Sequence, residues 1–183
     1  MLSFSAGRYV TGAITAQQAR RTWDSAGANV SVALARSPQH ENPAIDDGAP
    51  VARLIIPRIA LDEIVLEGSD ELNGGPGHVR GSAMPGESGN AVITGERDRY
   101  FSHLDALSAG DTIVTEAGLS RDTWIVMQKR VVDKDDRVVA RTPDTTLTLT
   151  TSWPIRFVGP APERLIVTAS RVSRPATRAA PAN

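Results

Sequence analysis

The sequence predicts an all-β (mainly β) domain, folded as a closed barrel or a sandwich of short strands with short helices between them. Segments rich in Val, Ile, Thr and Trp alternate with glycine-containing turns, a pattern typical of strands. Many short strands separated in this way favour these two architectures. The predicted strands cover residues 52–56, 63–67, 91–94, 112–116, 123–132, 146–151 and 164–170.

Helical segments are predicted before and between the strands. Residues 14–26 predict a short helix, because Ile14, Ala19 and Trp23 approximate one apolar face. Residues 37–50 are polar and rich in turn-forming residues, which predicts a linker. Two further short helices are predicted at residues 100–107 and 133–139.

Length and composition are those of one globular domain with extensions at both ends. The chain has 183 residues, of which 40% are hydrophobic and 22% are charged. We predict an N-terminal helical leader and linker at residues 1–50, the β-domain at 51–170 and a disordered tail at 171–183. The tail contains arginines and prolines but no acidic residue, a composition that does not build a core.

The composition also argues against several classes of function. A net charge of -1 and an aromatic content of 4% give no support for nucleic-acid binding. Because the chain has no cysteine, disulfides, thiolate metal sites and thiol nucleophiles are excluded. The histidines lack the spacing of a zinc site, and the acidic residues at 133–136 are interpreted as a solvated charge run rather than a calcium loop. No cofactor or metal is expected.

The segment Leu147–Pro154 is the main candidate for a functional site. Thr and Leu alternate along a predicted buried strand, which ends at Ser152 and turns at Pro154. After a loop rich in Gly and Pro, Arg164 begins the next strand. Two neighbouring strand ends would place the serine oxygen and the guanidinium side by side.

These motifs closely resemble the sortase family, in which Thr-Leu-x-Thr-Cys ends one strand and an arginine begins the next. Leu54–Ile59 resembles the opening strand of that family, and Ala91–Asp98 lies where sortases carry Gly-His-Arg. The glycine-rich segments Asn73–His78 and Pro85–Asn90 resemble the approach to the histidine strand. The resemblance covers roughly residues 52–170 and is greatest to class D or the related proteobacterial type. It implies a sortase-type closed β-barrel.

Two positions depart from the family pattern. Ser152 stands where sortases have the catalytic cysteine, and Glu96 stands where they have the catalytic histidine. In sortases the thiol attacks a peptide carbonyl, the histidine exchanges protons, and the arginine stabilises the oxyanion or holds the peptide. The resemblance assigns these catalytic roles to Ser152, Glu96 and Arg164, and it assigns peptide contacts to Thr151, Arg164 and His78.

The resemblance also implies a partner and a location. Sortases act in the bacterial cell envelope on proteins with an extended C-terminal sorting signal of Leu-Pro-x-Thr-Gly type, so we expect a peptide or protein partner of this kind. We see no counterpart of the family's N-terminal membrane anchor. No stretch approaches the roughly 20 apolar residues that cross a bilayer, and no signal peptide is visible.

The energetics of the two substitutions disfavour catalysis. Moving a proton from a cysteine, which titrates near ~8.5, to a histidine, near ~6.5, costs about 3 kcal/mol. Moving it from a hydroxyl that resembles water, near ~15.7, to an ordinary carboxylate, near ~4.3, costs on the order of 15 kcal/mol. We therefore expect a degenerate sortase that binds an extended peptide with little or no transpeptidation. The alternatives are an active serine-dependent peptidase or transpeptidase using Ser152, and a structural scaffold that does not use the cleft.

The candidate residues also have simpler interpretations. Ser152 is first interpreted as a strand-end serine bound to backbone, and then as a nucleophile or a non-covalent peptide contact. For Glu96 we favour an ion pair with Arg164 over an exposed, idle carboxylate or a general base. His78 is interpreted as a loop-fixing hydrogen-bond donor rather than a replacement base, and His103 as a surface residue.

Overall fold

The computed structural model describes residues 16–25, 45–68, 74–118, 120–136 and 144–172. Residues 16–25 form a helix, α1. Within the described ranges the strands are β1 Pro50–Ile56, β2 Leu61–Glu67, β3 Gly77–His78, β4 Asn90–Thr94, β5 Thr112–Ala117, β6 Ser120–Asp133, β7 Thr146–Trp153 and β8 Glu163–Arg171. Two short 3-10 helices cover Pro57–Ile59 and Leu104–Ala106.

The strands close into a barrel. Their order around it is β1-β2-β3-β4-β7-β8-β6-β5, and β5 pairs back onto β1. Neighbouring strands are antiparallel, apart from the parallel pairs β2–β3 and β4–β7. The closed barrel confirms the predicted mainly-β architecture, and closure leaves the sheet without a free edge.

One hydrophobic core fills the barrel. Alternate residues of a strand point to opposite faces, and Leu147 and Leu149 of β7 lie fully buried on the core side. Trp124 is also fully buried, and its Nε1–H donates to Thr115 Oγ1 at 2.9 Å, which satisfies its single polar atom. By the same alternation, Ser152 lies on the outer face of β7.

Helix α1 packs against the outer face of β2. Ala19 is 8% exposed and forms a small apolar cluster with Ile64 and Leu66, onto which Trp23 packs. The helix and two residues of its predicted apolar face are therefore confirmed, and the third, Ile14, lies outside the described residues. None of the helices in the described ranges combines the length and the apolar character needed to span a bilayer.

The predicted strands are confirmed to within about three residues at each end. The structure adds β3, whose two residues are too few to show a periodicity. The predicted helix at 133–139 is wrong where it can be compared, because β6 continues through Asp133 and residues 134–136 form a turn. Of the predicted helix at 100–107, only Leu104–Ala106 is helical, as one 3-10 turn.

Several predictions of domain organisation fall outside the described residues. These are most of the leader and linker, the end of the 133–139 segment and the tail beyond Val172. The division into leader, barrel and tail therefore stays a prediction.

A close approach between Gly95 and Phe101 fixes the chain just beyond β4. Phe101 is fully buried in the core. A Cβ atom on Gly95 would lie 2.7 Å from two atoms of the Phe101 ring, a distance that side chains do not tolerate. Glycine is therefore required here for the turn to pack against the core.

We predict that Gly95→Ala lowers the free energy of unfolding by about 1–3 kcal/mol, because the added methyl group overpacks the core against Phe101. Chemical denaturation measures this loss. In a Phe101→Leu background the alanine should be better tolerated, and this pair of measurements forms a double-mutant cycle. If Gly95→Ala is as stable as the wild type, the close approach does not exist.

Candidate functional site

Three strand ends meet at one end of the barrel, and we call this end the barrel edge. Because β4 and β7 are parallel, with Thr94 opposite Thr150, their C-terminal ends point the same way. Strand β8 is antiparallel to β7, so its beginning lies at the same edge, and Ser152 is directly opposite Arg164. Residues opposite each other in an antiparallel pair have Cα atoms roughly 4.5–5.5 Å apart and share a face.

Glu96 lies beside this pair. Continuing the β4–β7 register by two residues places Glu96 level with Ser152. Two hydrogen bonds support this continuation: Gly95 N–H donates to the Thr150 carbonyl at 3.2 Å, and Thr151 Oγ1 donates to the Gly95 carbonyl at 2.8 Å. Positions 96, 152 and 164 thus occupy adjacent places at one edge, although no ion pair or hydrogen bond joins their side chains within the described part of the chain.

Ser152 and Arg164 are both exposed to solvent. No described group forms a hydrogen bond with the Ser152 hydroxyl, so the described residues give no support for a serine bound to backbone. Arg164 Nε donates to the Lys134 carbonyl at 3.0 Å, which ties the start of β8 to the turn after β6. The remaining nitrogens of this guanidinium have no protein partner among the described residues.

Glu96 pairs with a different arginine from the one we predicted. Its Oε2 lies 3.4 Å from Nη1 of Arg99, three residues along the same turn. Arg99 also donates to the Tyr100 hydroxyl at 3.2 Å and lies over the Tyr100 ring, 5.0 Å from its centroid. The expected Glu96–Arg164 pair is therefore wrong, because a nearer guanidinium takes the carboxylate.

The same barrel edge contains two groups whose pKa values are raised, Glu63 and Tyr100. Burial raises the pKa of the Glu63 carboxyl above its ordinary value, and the nearby cations Arg20 and Arg99 only partly oppose the shift. Burial likewise raises the pKa of the Tyr100 phenol, again against Arg99. Arg99 thus stands among one phenol and two carboxylates.

Thr151 and His78 lie inside the barrel wall. Thr151 is 3% exposed, and its hydroxyl is committed to the Gly95 carbonyl. His78 is equally buried, with Nδ1 at 2.7 Å from Glu67 Oε2. Its other ring nitrogen, Nε2, lies 3.0 Å from the Ala83 carbonyl. Peptide contact by these two side chains stays a prediction, whereas the contacts of His78 are those of a loop-fixing residue.

The surroundings of His78 resemble a catalytic triad in geometry but not in hydrogen bonding. Ser82 Oγ lies 2.9 Å from His78 Nε2, and Glu67 lies on the other side of the ring. A carbonyl oxygen only accepts, so a hydrogen bond to Ala83 uses Nε2–H as the donor, whereas a general base presents a free ring nitrogen to the serine. The Ser82 hydroxyl itself donates to the Val79 carbonyl at 2.7 Å. This network is structural, and it joins β2, β3 and the loop before β4.

Other residues at the site were not identified from the sequence. Arg97 reaches from the end of β4 to the loop after β7, where its Nη2 donates to the Gly159 carbonyl at 2.7 Å. The Glu96–Arg99 spacing of three residues was the one available signal for their ion pair. The prediction that His103 is a surface residue is confirmed, since it is exposed.

Comparison with known proteins gives a consistent result. The family model of the sortase domain matches residues 54–172. Sortase D of Bacillus subtilis (strain 168) is 30% identical over 159 residues, covering 85% of this chain and 79% of that protein. A Clostridium perfringens sortase D5 transpeptidase has the same fold, with a TM-score of 0.69 at 24% identity over 87% of this chain and 96% of that one. The catalytic domain of B. anthracis sortase D has a TM-score of 0.61 at 30% identity, covering 75% and 97%.

We predict that His78→Ala destabilises the protein by about 3 kcal/mol, because it leaves the buried Glu67 carboxylate without its partner. Thermal or chemical denaturation measures the loss, and His103→Ala, on the surface, should stay within about 0.5 kcal/mol of the wild type. A variant at position 78 that keeps full stability but no longer binds a sorting-signal peptide would instead identify His78 as a peptide contact.

Proposed function

Because this chain belongs to the sortase family, we propose that it is a degenerate sortase of the bacterial cell envelope, which binds an extended sorting-signal-type peptide with little or no transpeptidation. The peptide lies along the barrel edge formed by the ends of β4 and β7 and the start of β8. Arg164 is its main polar contact at this edge.

A single observation carries the absence of efficient chemistry: the reactive position has an alcohol that no base contacts. The chain contains no cysteine, and Ser152 has no hydrogen bond to any described group. The neighbouring carboxylate, Glu96, is held by Arg99 at 3.4 Å. A proton transfer that already costs on the order of 15 kcal/mol for free groups is not assisted by such an arrangement.

Arg164 supports the proposal that the site binds a peptide. Its exposed guanidinium has donors that no described residue occupies, at a position directly opposite Ser152. A guanidinium with free N–H groups binds a peptide carbonyl or carboxylate at little reorganisation.

The serine-dependent alternative has one observation in its favour. Ser152 is exposed and adjacent to an unoccupied oxyanion donor, which are two of the features that an acyl-transfer site requires. It lacks the third, a base in contact with the hydroxyl. A scaffold that never uses the cleft is the remaining alternative, and binding data separate all three.

We predict that a fluorescein-labelled Leu-Pro-Gln-Thr-Gly peptide binds the protein saturably, and that Arg164→Ala weakens this affinity about tenfold, or about 1.4 kcal/mol. Fluorescence anisotropy measures binding, and mass spectrometry detects any acyl-enzyme or cleaved peptide. Ser152→Ala, the matched variant at the reactive position, should bind as the wild type does. Peptide cleavage that Ser152→Ala abolishes would support the serine enzyme, and absence of both binding and cleavage would support the scaffold.

We also predict that Glu96→His with Ser152→Cys produces measurable transpeptidation of the same peptide onto triglycine, because the thiol and imidazole restore a proton transfer of about 3 kcal/mol. Each single variant is the control and should stay inert. Because Arg99 is a cation next to position 96, adding Arg99→Gln should raise the activity further by favouring the imidazolium. A folded double variant that binds the peptide but remains inert would show that the edge has lost more than two side chains.

A further inference from the structure

Two guanidiniums at the barrel edge lack a carboxylate partner. Arg164 donates to the Lys134 carbonyl, and Arg97 donates to the Gly159 carbonyl. Within the described residues neither forms an ion pair, and both bind only backbone oxygen. Most of the other arginines with a described contact do pair with carboxylates: Arg20, Arg53, Arg80, Arg99, Arg121 and Arg171. The edge therefore keeps two positive charges that the fold does not neutralise.

The described residues contain two buried side-chain polar atoms without a hydrogen-bond partner, and both lie at this edge. They are Nη1 of Arg97 and Oγ1 of Thr150. Thr150 is 2% exposed and lies two residues before Ser152, on the same face of β7. Native proteins satisfy nearly all such groups with protein, ordered water or ligand atoms, so these two atoms mark a place where a ligand oxygen fits.

The chemistry of these atoms indicates what is missing. A guanidinium nitrogen donates only, and a hydroxyl is able to donate, so each is completed by an acceptor oxygen. Because the guanidinium is charged and has one nitrogen unsatisfied, a carboxylate is the acceptor that fits it best, through two parallel hydrogen bonds. Peptide carbonyl oxygens are suitable for Thr150. An extended peptide with an acidic group offers both.

Access to Arg97 requires a movement of the loop at residues 154–162. In the closed arrangement Nη1 is enclosed, and the loop is tied down through the Arg97–Gly159 hydrogen bond and through Lys134 N–H donating to the Pro162 carbonyl at 3.3 Å. Little apolar burial holds the tip of the loop, since Phe157 is 42% and Val158 is 96% exposed, whereas Ile155 at its start packs against the core. Segments with so few packed contacts open at low free-energy cost.

We propose that Arg97 and Arg164 together bind a carboxylate of the peptide ligand, with Arg97 exchanging the Gly159 carbonyl for that carboxylate as the loop at 154–162 opens. This inference rests on the proposed peptide-binding function and names the charge that the ligand carries. Arg97 is a specificity-determining residue in this scheme, and its hydrogen bond to Gly159 keeps the loop closed until an anionic peptide arrives.

The direct test compares three N-labelled peptides of equal length by fluorescence anisotropy at fixed ionic strength. They are Leu-Pro-Glu-Thr-Gly amide, Leu-Pro-Gln-Thr-Gly amide and Leu-Pro-Gln-Thr-Gly with a free C-terminal carboxylate. The wild type should bind one of the two carboxylate peptides about tenfold more tightly than the neutral amide, a difference of about 1.4 kcal/mol. Arg97→Gln and Arg164→Gln should each remove most of this preference, whereas Arg58→Gln, an exposed site elsewhere, should keep it.

The outcomes separate this inference from the proposed function. Equal binding of all three peptides by the wild type overturns the carboxylate site and leaves peptide binding intact, and binding of none overturns both. If the preference survives Arg97→Gln, the assignment to Arg97 is overturned. Arg97→Lys keeps the charge without the planar fork and should also lose most of the preference, which covers the case in which the glutamine variant does not fold.

A second readout follows the loop itself. Arg156 is an exposed trypsin site within the loop at 154–162. Cleavage after Arg156 should be several-fold faster in Arg97→Gln than in Arg58→Gln, and faster in the wild type with the preferred carboxylate peptide than without it. Cleavage rates that are equal in these pairs would overturn the exchange between Gly159 and the ligand.

Discussion

The parallel pairing of β4 with β7 is the constraint on which the site depends. Parallel strands cannot be joined by a tight turn, so the chain leaves the barrel edge after β4 and returns through β5 and β6 before β7 begins. As a result, two strand ends that are about 56 residues apart in sequence finish level with each other. Strand β8 then starts opposite the end of β7, which completes the edge with Arg164. The backbone register, rather than any side-chain contact, brings positions 96, 152 and 164 together.

This origin means that the arrangement of the edge does not depend on which side chains occupy positions 96 and 152. The residues that set the register are buried, such as Leu149 and Ile93 of the core, whereas Ser152 and Arg164 are exposed. Exchange of an exposed strand-end side chain leaves the core unchanged. Glu96 adds a negative charge at the edge, and Arg99 neutralises it locally within the same turn. Arg164 is thereby left available, which is the opposite of the closed, occupied site that the sequence led us to expect.

The fold was accessible from the sequence to a much greater extent than the site was. Strand positions follow from the alternation of residue types and from turn residues. These signals lie within the strand itself or next to it in sequence, as the Thr-Leu alternation of β7 does. The ion pair of Glu96 depends on a competition between two guanidiniums at different distances, which a linear pattern does not resolve. Arg97 and Gly159 meet through a loop whose path is set by tertiary packing. The two-residue strand β3 forms because β2 and β4 offer partners on either side, again a tertiary effect.

The unsatisfied polar atoms of the described residues are concentrated at the edge that contains Ser152. Other buried polar side chains of the barrel wall are hydrogen-bonded. Trp124 donates to Thr115, Thr148 donates to Asn90 at 2.8 Å, and His78 has a partner on each ring nitrogen. The two described exceptions, on Arg97 and Thr150, both lie beside the Ser152–Arg164 pair. An acceptor oxygen from ordered water or from a ligand completes both groups, and the proposed peptide supplies such oxygens.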